Sequence, residues 1–261
     1  MATPADLLDA VLRRSPAAPC LTQYDDADGS RVELSGTTLA NWVAKTANLL
    51  QEEFDVTTGS TVAVALPVHW QTAAVLLGAW SCGAAVLDTA VEDDGRLDDA
   101  DVVLADRERL APLEDQDLPA LLGLSLHPLG AGMTGYTGAA RDFAVEVRGQ
   151  GDVFVPWQRP DPAAPGLLVG GLELTLGGLV DAAQELAGRL GVAAGDRVLV
   201  GERTAAEAGP VAWLLAPLAA GASVVLVRSA DPARLAARAA TERVTATLGV
   251  EVAQIRELGR P

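Results

Sequence analysis

The chain has 261 residues, of which 49% are hydrophobic and 4% aromatic, and its formal net charge is −16. That length accommodates one large domain or two small ones with a sizeable core, while so acidic a chain without a basic patch excludes a nucleic-acid-binding protein. Two cysteines are too few for a disulfide framework and no signal peptide is visible at the N-terminus, so we expect a cytoplasmic protein.

The N-terminal part of the chain predicts alternating helices and strands. An amphipathic helix is expected over 3–14, followed by a hairpin in CLTQYDDADGSRVEL, whose acidic turn contains an Asp-Gly pair. This turn is not a calcium loop, because Tyr24 and Ser35 stand where an EF-hand needs acidic ligands. A helix over 37–54, the strand TVAVAL, the helix HWQTAAVLLGAWSC and the strand GAAVLD follow.

Two uncharged stretches, residues 67–87 and 208–227, reach the length of a membrane span. Glycine interrupts both, and each changes midway from helical spacing to a short β-branched run. A buried helix followed by a buried parallel strand explains both stretches, so we expect no membrane span.

The middle of the chain is richer in loops. An exposed acidic connection is expected over 92–101, and the runs DVVLAD and LLGLSLH predict two further strands. A glycine-rich loop over 128–141 precedes DFAVEV, whose alternation predicts an edge strand over 142–147. The proline-rich stretch 156–166 is predicted to be a linker.

The remainder of the chain repeats an earlier unit. Residues 173–227 again predict helix, strand, helix and strand. Gly195 stands 136 residues after Gly59, and Gly221 stands 138 residues after Gly83, each at the corresponding point of its unit. Offsets this steady predict two copies of one structural unit.

A helix that Asp231 caps and a short strand in TATLGV complete the predicted elements. Helices that alternate with buried strands imply parallel sheets covered by helices. We therefore predict an α/β fold of two pseudo-repeat parallel-sheet subdomains, packed as a layered α/β/α/β/α sandwich, with the first subdomain at 1–150 and the second at 151–261.

At this point the chain resembles a known family. An apolar pattern ending in VAVALP and GAAVL in the first copy is followed by GDRVL, LLAPLAAGASVVLV, DPARL and ERVTATLGV in the second. From about Leu7 to about Val250 this is similar to the N-terminal half of the large domain of adenylate-forming enzymes, which include acyl-CoA synthetases, luciferases and nonribosomal adenylation domains. It looks most like a small group of truncated bacterial relatives.

The resemblance implies the formation of an acyl-adenylate from ATP and a carboxylic acid. The family's phosphate loop is rich in Ser, Thr and Gly and ends in lysine, whereas the matching place here reads PAAPGLLVGGLELTLGG, with Thr175 as its only hydroxyl. The family's other catalytic motifs would lie beyond Pro261. Because phosphoryl chemistry needs cations, backbone amides and a metal, we predict no catalytic residue and no metal site.

The glycine-rich loop offers the candidate binding residues. Its GAGMTG stretch matches G-x-G-x-x-G, but too few residues follow before DFAVEV for the helix of a dinucleotide site. The next residues faintly resemble the family's phosphate loop without its lysine. Thr134, Gly135, Thr137 and Gly138 are therefore the candidates for gripping a small anion, with a flexible loop as the alternative.

Two principal hypotheses follow for function. The first is a non-catalytic relative that acts as a binding or protein-interaction module, in which a second copy or another protein covers surface that the rest of the large domain would bury. The alternative is an acyl-CoA synthetase-like enzyme, or part of one, that binds a nucleotide or acyl-adenylate in the cleft between subdomains. No cofactor is predicted under the first hypothesis, and ATP or AMP belongs to the alternative. A third possibility is that the chain works only with a separately encoded remainder.

Overall fold

A computed structural model describes residues 1–89 and 96–259 of the chain. Its first half contains, in chain order, α1 (Pro4–Arg14), β1 (Pro19–Asp25), β2 (Ser30–Ser35), α2 (Gly36–Phe54), β3 (Thr61–Ala65), α3 (Trp70–Cys82), β4 (Ala85–Asp88), β5 (Val102–Asp106), α4 (Leu110–Glu114) and β6 (Leu121–Leu124). Its second half contains β7 (Arg141–Asp142), α5 (Phe143–Glu146), β8 (Pro165–Val169), β9 (Leu172–Thr175), α6 (Leu176–Leu190), β10 (Arg197–Gly201), α7 (Glu202–Pro210), α8 (Ala216–Ala220), β11 (Ser223–Arg228), α9 (Pro232–Thr241), β12 (Ala246–Leu248) and β13 (Arg256–Glu257). Of the predicted exposed acidic connection over 92–101, residues 92–95 lie outside the described residues, whereas Arg96–Asp99 form a short 3-10 helix and Ala100 is buried.

The chain forms two compact units that interleave in sequence. Unit 1 comprises Met1–Ala5 and Ala40–Gly178, and unit 2 comprises Asp6–Leu39 and Leu179–Pro261. The boundary expected between residues 150 and 151 was drawn from the sequence repeat, whereas these two units are defined by their compactness. The expected boundary therefore stays a prediction.

Unit 1 is built on a seven-stranded sheet in the order β7-β6-β5-β3-β4-β8-β9. Every pairing in it is parallel except the edge pair β8–β9. The apolar stretch 67–87 forms α3 and β4, and α3 is buried along nearly its whole length because it is apolar on every side. His69 caps this helix by accepting from Gln71 N at 3.2 Å, and Gly83 ends it at a φ of 85°.

Unit 2 is built on a six-stranded sheet in the order β13-β12-β10-β11-β1-β2. Here too the edge hairpin, β1–β2, is antiparallel and the other pairs are parallel. The second apolar stretch, 208–227, forms the end of α7, a π-helical turn at Val211–Leu215, α8 and most of β11. Within residues 1–89 and 96–259, no helix combines the length and the apolar character that a bilayer crossing demands.

The two sheets have the same strand order when counted from the hairpin edge. After the hairpin come β4, β3, β5 and β6 in unit 1, and β11, β10, β12 and β13 in unit 2. Both hairpins also shift register at the start of their first strand, between Pro19 and Leu21 and between Pro165 and Leu167. The predicted α/β class with parallel sheets is thus confirmed, with an antiparallel edge strand in each sheet, while the duplication itself stays a prediction.

The predicted edge strand over 142–147 is wrong. Only Arg141–Asp142 pairs with the sheet, and the chain then turns into the helix Phe143–Glu146. The Asp142 carboxylate accepts from Ala144 N at 2.9 Å and caps that helix, so an N-cap outweighs the alternation of apolar residues.

Candidate functional site

The four predicted anion-binding residues lie in one loop of unit 1, and their surroundings differ. The carbonyl of Thr134 accepts from the Arg107 guanidinium at 2.9 Å. Gly135 has a φ of +70° and faces open space, and Thr137 is exposed. Gly138 packs instead against side chains of the same unit.

A carboxylate already occupies two backbone donors near the end of this loop. Glu114, at the end of α4, accepts from Ala139 N at 2.7 Å and from Ala140 N at 3.1 Å. The Tyr136 hydroxyl also donates to it, and its oxygens lie where a Cβ on Gly138 would stand. An anionic ligand would be repelled at short range by this carboxylate, and the anion-binding role of the loop stays a prediction.

At the place expected for a phosphate loop, the chain makes a tight turn. The pairing of β8 with β9 continues to Val169 opposite Leu172, so that Gly170 and Gly171 alone connect the two strands. Both glycines have positive φ, 56° and 73°, as a two-residue type I′ turn requires. The Thr175 hydroxyl accepts from a backbone N–H of α6 at 3.0 Å and caps that helix. The hairpin therefore has no loop that could surround a phosphate chain.

A cleft of about 820 Å³ opens in unit 2 where strands of the parallel sheet end. It lies beyond the carboxyl ends of β12 and β13 and beside the helix α7, which follows β10. Its apolar lining comes from Leu186, Leu248, Val250 and Leu258, with Ala208 from α7. Ligands of open α/β sheets bind outside the carboxyl ends of the strands, so this cleft is the candidate binding site.

The rim of the cleft is acidic. Glu207, Glu251 and Glu257 line it and are exposed. Arg203 pairs with Glu207 at 2.8 Å, but no lysine or arginine belongs to the lining that the described residues form. The field inside such a concave, negatively charged surface favours a ligand that carries a positive group.

The backbone beside the cleft is unusual at two glycines. Gly209 has φ 72° and ψ 177°, a conformation that is essentially restricted to glycine, and it interrupts α7 next to Ala208. A π-helical turn follows at Val211–Leu215, and such turns are frequent at functional sites. Gly249 has a φ of +71°, and a Cβ there would overlap the Thr204 side chain. The Gly209-Pro210 pair inside a helical run is the sequence signal that indicates an irregular backbone at this site.

A cluster of charged side chains around the buried Glu242 connects several elements of unit 2. Glu242 is 6% exposed and accepts from the Tyr24 hydroxyl at 2.7 Å, from Arg31 Nε at 2.9 Å and from Arg197. Burial alone would raise the pKa of Glu242, but the hydrogen bonds from Arg31, Tyr24 and Arg197 outweigh it and lower the pKa to about 2. These contacts join β2 and β10 to the end of α9, so the cluster is structural.

The cysteines offer no reactive group. Burial raises the pKa of Cys20 to about 11 and that of Cys82 to about 12, so neither is a thiolate at neutral pH. Over residues 1–89 and 96–259, no group of three or more His, Cys, Asp or Glu side chains is arranged to hold a metal ion.

The chain has a curated relative of nearly the same length. It is 46% identical over 260 residues to a protein of Mycobacterium tuberculosis described as "TIGR03089 family protein", and the match covers 95% of this chain and 100% of that relative. No protein-family model matches the chain.

Solved structures with the same fold are adenylate-forming enzymes. An anthranilate CoA ligase in complex with anthranoyl-AMP superimposes with a TM-score of 0.72 at 17% identity, covering 95% of this chain and 49% of that chain. The fatty acyl CoA synthetase of Mycobacterium tuberculosis gives 0.72 at 17% identity, covering 94% and 49%, and the acyl-CoA synthetase of Brucella canis gives 0.73 at 17%, covering 95% and 47%. The chain thus spans about half the length of these enzymes and has the fold of the N-terminal half of the adenylate-forming domain.

Proposed function

This chain belongs to the TIGR03089 family, and from that premise we propose that it is a binding protein that keeps the adenylate-forming fold without the adenylate-forming reaction. Its ligand occupies the cleft of unit 2. The observation that carries the proposal is the two-residue turn Gly170-Gly171, at the place where the resemblance calls for a phosphate loop.

The turn argues against adenylate formation, because that reaction requires the protein to bind and stabilise negatively charged phosphate groups. Spreading negative charge in the transition state is stabilised by fixed amides, cations and hydroxyls aimed at it. Two exposed glycines that close a hairpin supply no side chain for this, and Thr175 is engaged in capping α6. In the glycine-rich loop, Glu114 already takes the N–H groups of Ala139 and Ala140.

The lining of the cleft indicates the class of ligand. Leucine and valine side chains give the cleft an apolar interior, while Glu207, Glu251 and Glu257 line its opening. A ligand with a short alkyl or aryl part and an ammonium group satisfies both features, because burying the apolar part is favourable and the charged group stays near the carboxylates.

Carboxylate-dependent ATP–pyrophosphate exchange tests the non-catalytic half of the proposal. We expect no exchange above background with a mixed pool of carboxylic acids, with an active acyl-CoA synthetase assayed in parallel as the positive control. Exchange that depends on both this protein and an added acid would refute it.

Isothermal titration with octylammonium and with octanoate tests the binding half, since the two probes differ only in their head group. We expect octylammonium to bind about tenfold more tightly, a difference of about 1.4 kcal/mol. Ala208→Trp should fill the cleft and abolish binding, whereas Ala206→Trp, on the exposed side of the same helix, should not. Equal binding of both probes, or equal effects of both variants, would argue against this site.

A second candidate is the binding of AMP or an acyl-adenylate without turnover. The solved anthranilate CoA ligase that shares this fold is bound to anthranoyl-AMP, which favours this class of ligand. A thermal-shift screen with ATP, AMP, acyl-CoAs and a non-hydrolysable acyl-adenylate distinguishes it: stabilisation by the adenylate that Ala208→Trp leaves intact would support a site outside the cleft.

A further inference from the structure

The sheet of unit 1 extends one strand beyond the point at which the described sheet of unit 2 ends. Counted from the hairpin edge, β6 and β13 hold the same place, and β7 follows β6, whereas no described strand follows β13. The chain leaves β7 directly as the helix α5, which packs on β6. Phe143 of this helix is 1% exposed, and Val147, in the 3-10 turn that continues it, is fully buried. Unit 1 therefore covers this end of its sheet with a short helix of its own.

Contacts on both sides of α5 show that it lies along α2. Arg141, just before α5, donates to Glu53 Oε2 at 3.1 Å. Gln150, just after the 3-10 turn, accepts from Lys45 Nζ at 2.5 Å. Since Glu53 lies about two turns after Lys45 in α2, α5 runs beside α2 in the opposite direction. The helix thus fills the angle between α2 and the last strands of the sheet.

The cleft of unit 2 lies between the corresponding elements. α6 precedes β10 as α2 precedes β3, and β10 and β3 hold the same place in their sheets. Leu186 of α6, Leu248 at the end of β12 and Leu258 directly after β13 line the cleft. The cleft is therefore open at the place that α5 fills in unit 1.

The helix α5 and its continuing turn show what kind of segment fits such a place. Phe143 and Val147 are four residues apart, so they share one face of the helix and enter the protein together. Val145 lies on the other face and is 66% exposed. Arg141 and Arg148 flank this stretch, and both donate hydrogen bonds to neighbouring parts of unit 1. The segment is thus amphipathic and has a basic residue at each end.

We propose that the cleft of unit 2 binds a short amphipathic helix of a partner protein, flanked by lysine or arginine. Two apolar side chains one turn apart enter the cleft, as in the recognition of helices by apolar grooves. The basic side chains pair with Glu251 and Glu257 on the rim, which form no ion pair within the described part of the chain. The inference rests on the proposed function, because it assigns the apolar and cationic parts of the ligand in that cleft to one helix.

A second copy of this chain does not supply such a helix. Among residues 1–89 and 96–259, only one of the large apolar side chains that are exposed, Val145, belongs to a helix, so no helix presents two of them one turn apart. The apolar side of α5 is itself buried in unit 1. The carboxylates on the rim also favour a helix with basic flanks, because the local field in a concave acidic surface attracts positive charge.

Fluorescence anisotropy with a labelled peptide tests the proposal on the full-length chain. The peptide has the sequence of residues 139–150 with Glu146→Lys, which keeps the apolar face of α5 and adds a basic residue. We expect saturable binding with a Kd of about 100 μM. Octylammonium should displace the peptide, because both occupy the cleft.

Two further peptides differ from this one at a single valine each. Val147→Ser removes a side chain that should enter the cleft, and we expect binding about tenfold weaker. Val145→Ser is the matched control, because it removes the same group from the opposite face of the helix. It should leave the affinity of the peptide unchanged.

Variants of the protein locate the site. Ala208→Trp should fill the cleft and abolish peptide binding, whereas Ala206→Trp, on the exposed side of α7, should not. Glu251→Gln with Glu257→Gln removes two rim charges, and we expect it to weaken binding about threefold or more. Unchanged binding in that double variant would overturn the basic flanks of the partner helix.

Other results would overturn the inference as a whole. Octylammonium binding without peptide binding up to about 1 mM would do so and would leave the proposed function in place. Equal binding of the Val147→Ser and Val145→Ser peptides, or peptide binding that Ala208→Trp leaves intact, would also contradict it. A dimer in light scattering that Ala208→Trp abolishes would assign the cleft to a second copy of this chain. Peptide binding in the cleft without octylammonium binding would instead count against the small ligand of the proposed function alone.

Discussion

The two units share a strand order and yet fasten their edge hairpins by different chemistry. In unit 2, Tyr24 and Arg31 of the hairpin bind the buried carboxylate Glu242. In unit 1, the buried Trp80 indole donates to the carbonyl of Gly166, on the first strand of the hairpin, at 2.7 Å. We call the Glu242 contacts the charged anchor of the unit 2 hairpin and the Trp80–Gly166 hydrogen bond the neutral anchor of the unit 1 hairpin. The two units have the same strand order with different anchors, because both sheets depend on the burial of apolar side chains in their parallel strands.

Removal of the neutral anchor should have the largest effect on stability. Trp80→Ala deletes a fully buried indole, and we expect a loss of about 3–5 kcal/mol in the free energy of unfolding. Trp80→Phe should cost less, about 1–3 kcal/mol, because it mainly leaves Gly166 O without a donor. Urea unfolding followed by tryptophan fluorescence and far-UV circular dichroism measures both losses.

Since neither an indole nor a carbonyl titrates, the cost of Trp80→Ala should be the same at about pH 7 and about pH 4. Hydrogen exchange should show the loss of protection first in β8 and β9. Preferential loss in β1 and β2 instead would mean that this indole does not anchor the unit 1 hairpin.

Removal of the charged anchor should cost nearly as much and should depend on pH. The pKa of Glu242 falls from 4.5 to about 2 on folding, which corresponds to on the order of 3 kcal/mol. Since the folded-state pKa is depressed, this stability is present above the unfolded pKa and is lost as pH falls from about 4.5 to about 2. Glu242→Gln should therefore be destabilised at neutral pH and show a flatter dependence on pH in that window.

Urea unfolding at about pH 7 and about pH 3 measures this difference. Glu173→Gln is the matched control, because Glu173 is exposed on the edge strand of unit 1. Equal pH dependence in Glu242→Gln and in the unsubstituted protein would show that Glu242 does not anchor the hairpin of unit 2.

The comparison also shows what the sequence could and could not predict. The buried runs TVAVAL and SVVLV were identified as strands because each is a short apolar run, rich in β-branched residues, that begins two residues after a glycine. Which strand each hairpin joins was not predicted: β1 pairs with β11, and β8 pairs with β4. Such pairings join segments far apart in sequence, and local periodicity contains no information about them.

The contacts of Glu242 could not be predicted from the sequence for the same reason. Tyr24 and Glu242 are 218 residues apart, and Arg31 and Glu242 are 211 apart, so no spacing connects them. The helix Phe143–Glu146 was missed for a different reason: Asp142 was read as part of an alternating strand, although an aspartate before apolar residues is also an N-cap signal. The cleft of unit 2 was missed because it is formed by segments from α6, α7 and two strand ends.

A change beside the cleft should have an intermediate effect and should be confined to unit 2. Gly249→Ala introduces a Cβ that overlaps Thr204 at a backbone φ of +71°, and we expect a loss of about 1–3 kcal/mol. Adding Thr204→Ala removes the hydroxyl and methyl groups that this Cβ would overlap and should recover part of the loss. Thermal unfolding measures the losses, and octylammonium titration should show weakened binding in both variants. Unchanged stability in Gly249→Ala would mean that the approach of these two residues is looser than described.

The smallest expected effect concerns the turn on which the proposed function depends. Gly170→Asn places asparagine at a φ of 56°, which it tolerates, and creates the Asn-Gly pair that type I′ turns prefer. We expect a gain of about 0.4–1 kcal/mol, because the unfolded chain loses freedom while the turn is unchanged.

Gly171→Ala should cost about 1 kcal/mol, because alanine is disfavoured at a φ of 73°. Gly29→Ala, at a φ of 75° in the other hairpin, should cost a similar amount. Thermal unfolding distinguishes these signs. A loss in Gly170→Asn equal to that in Gly171→Ala would contradict a two-residue turn, and the hairpin could then contain a loop long enough to surround a phosphate chain.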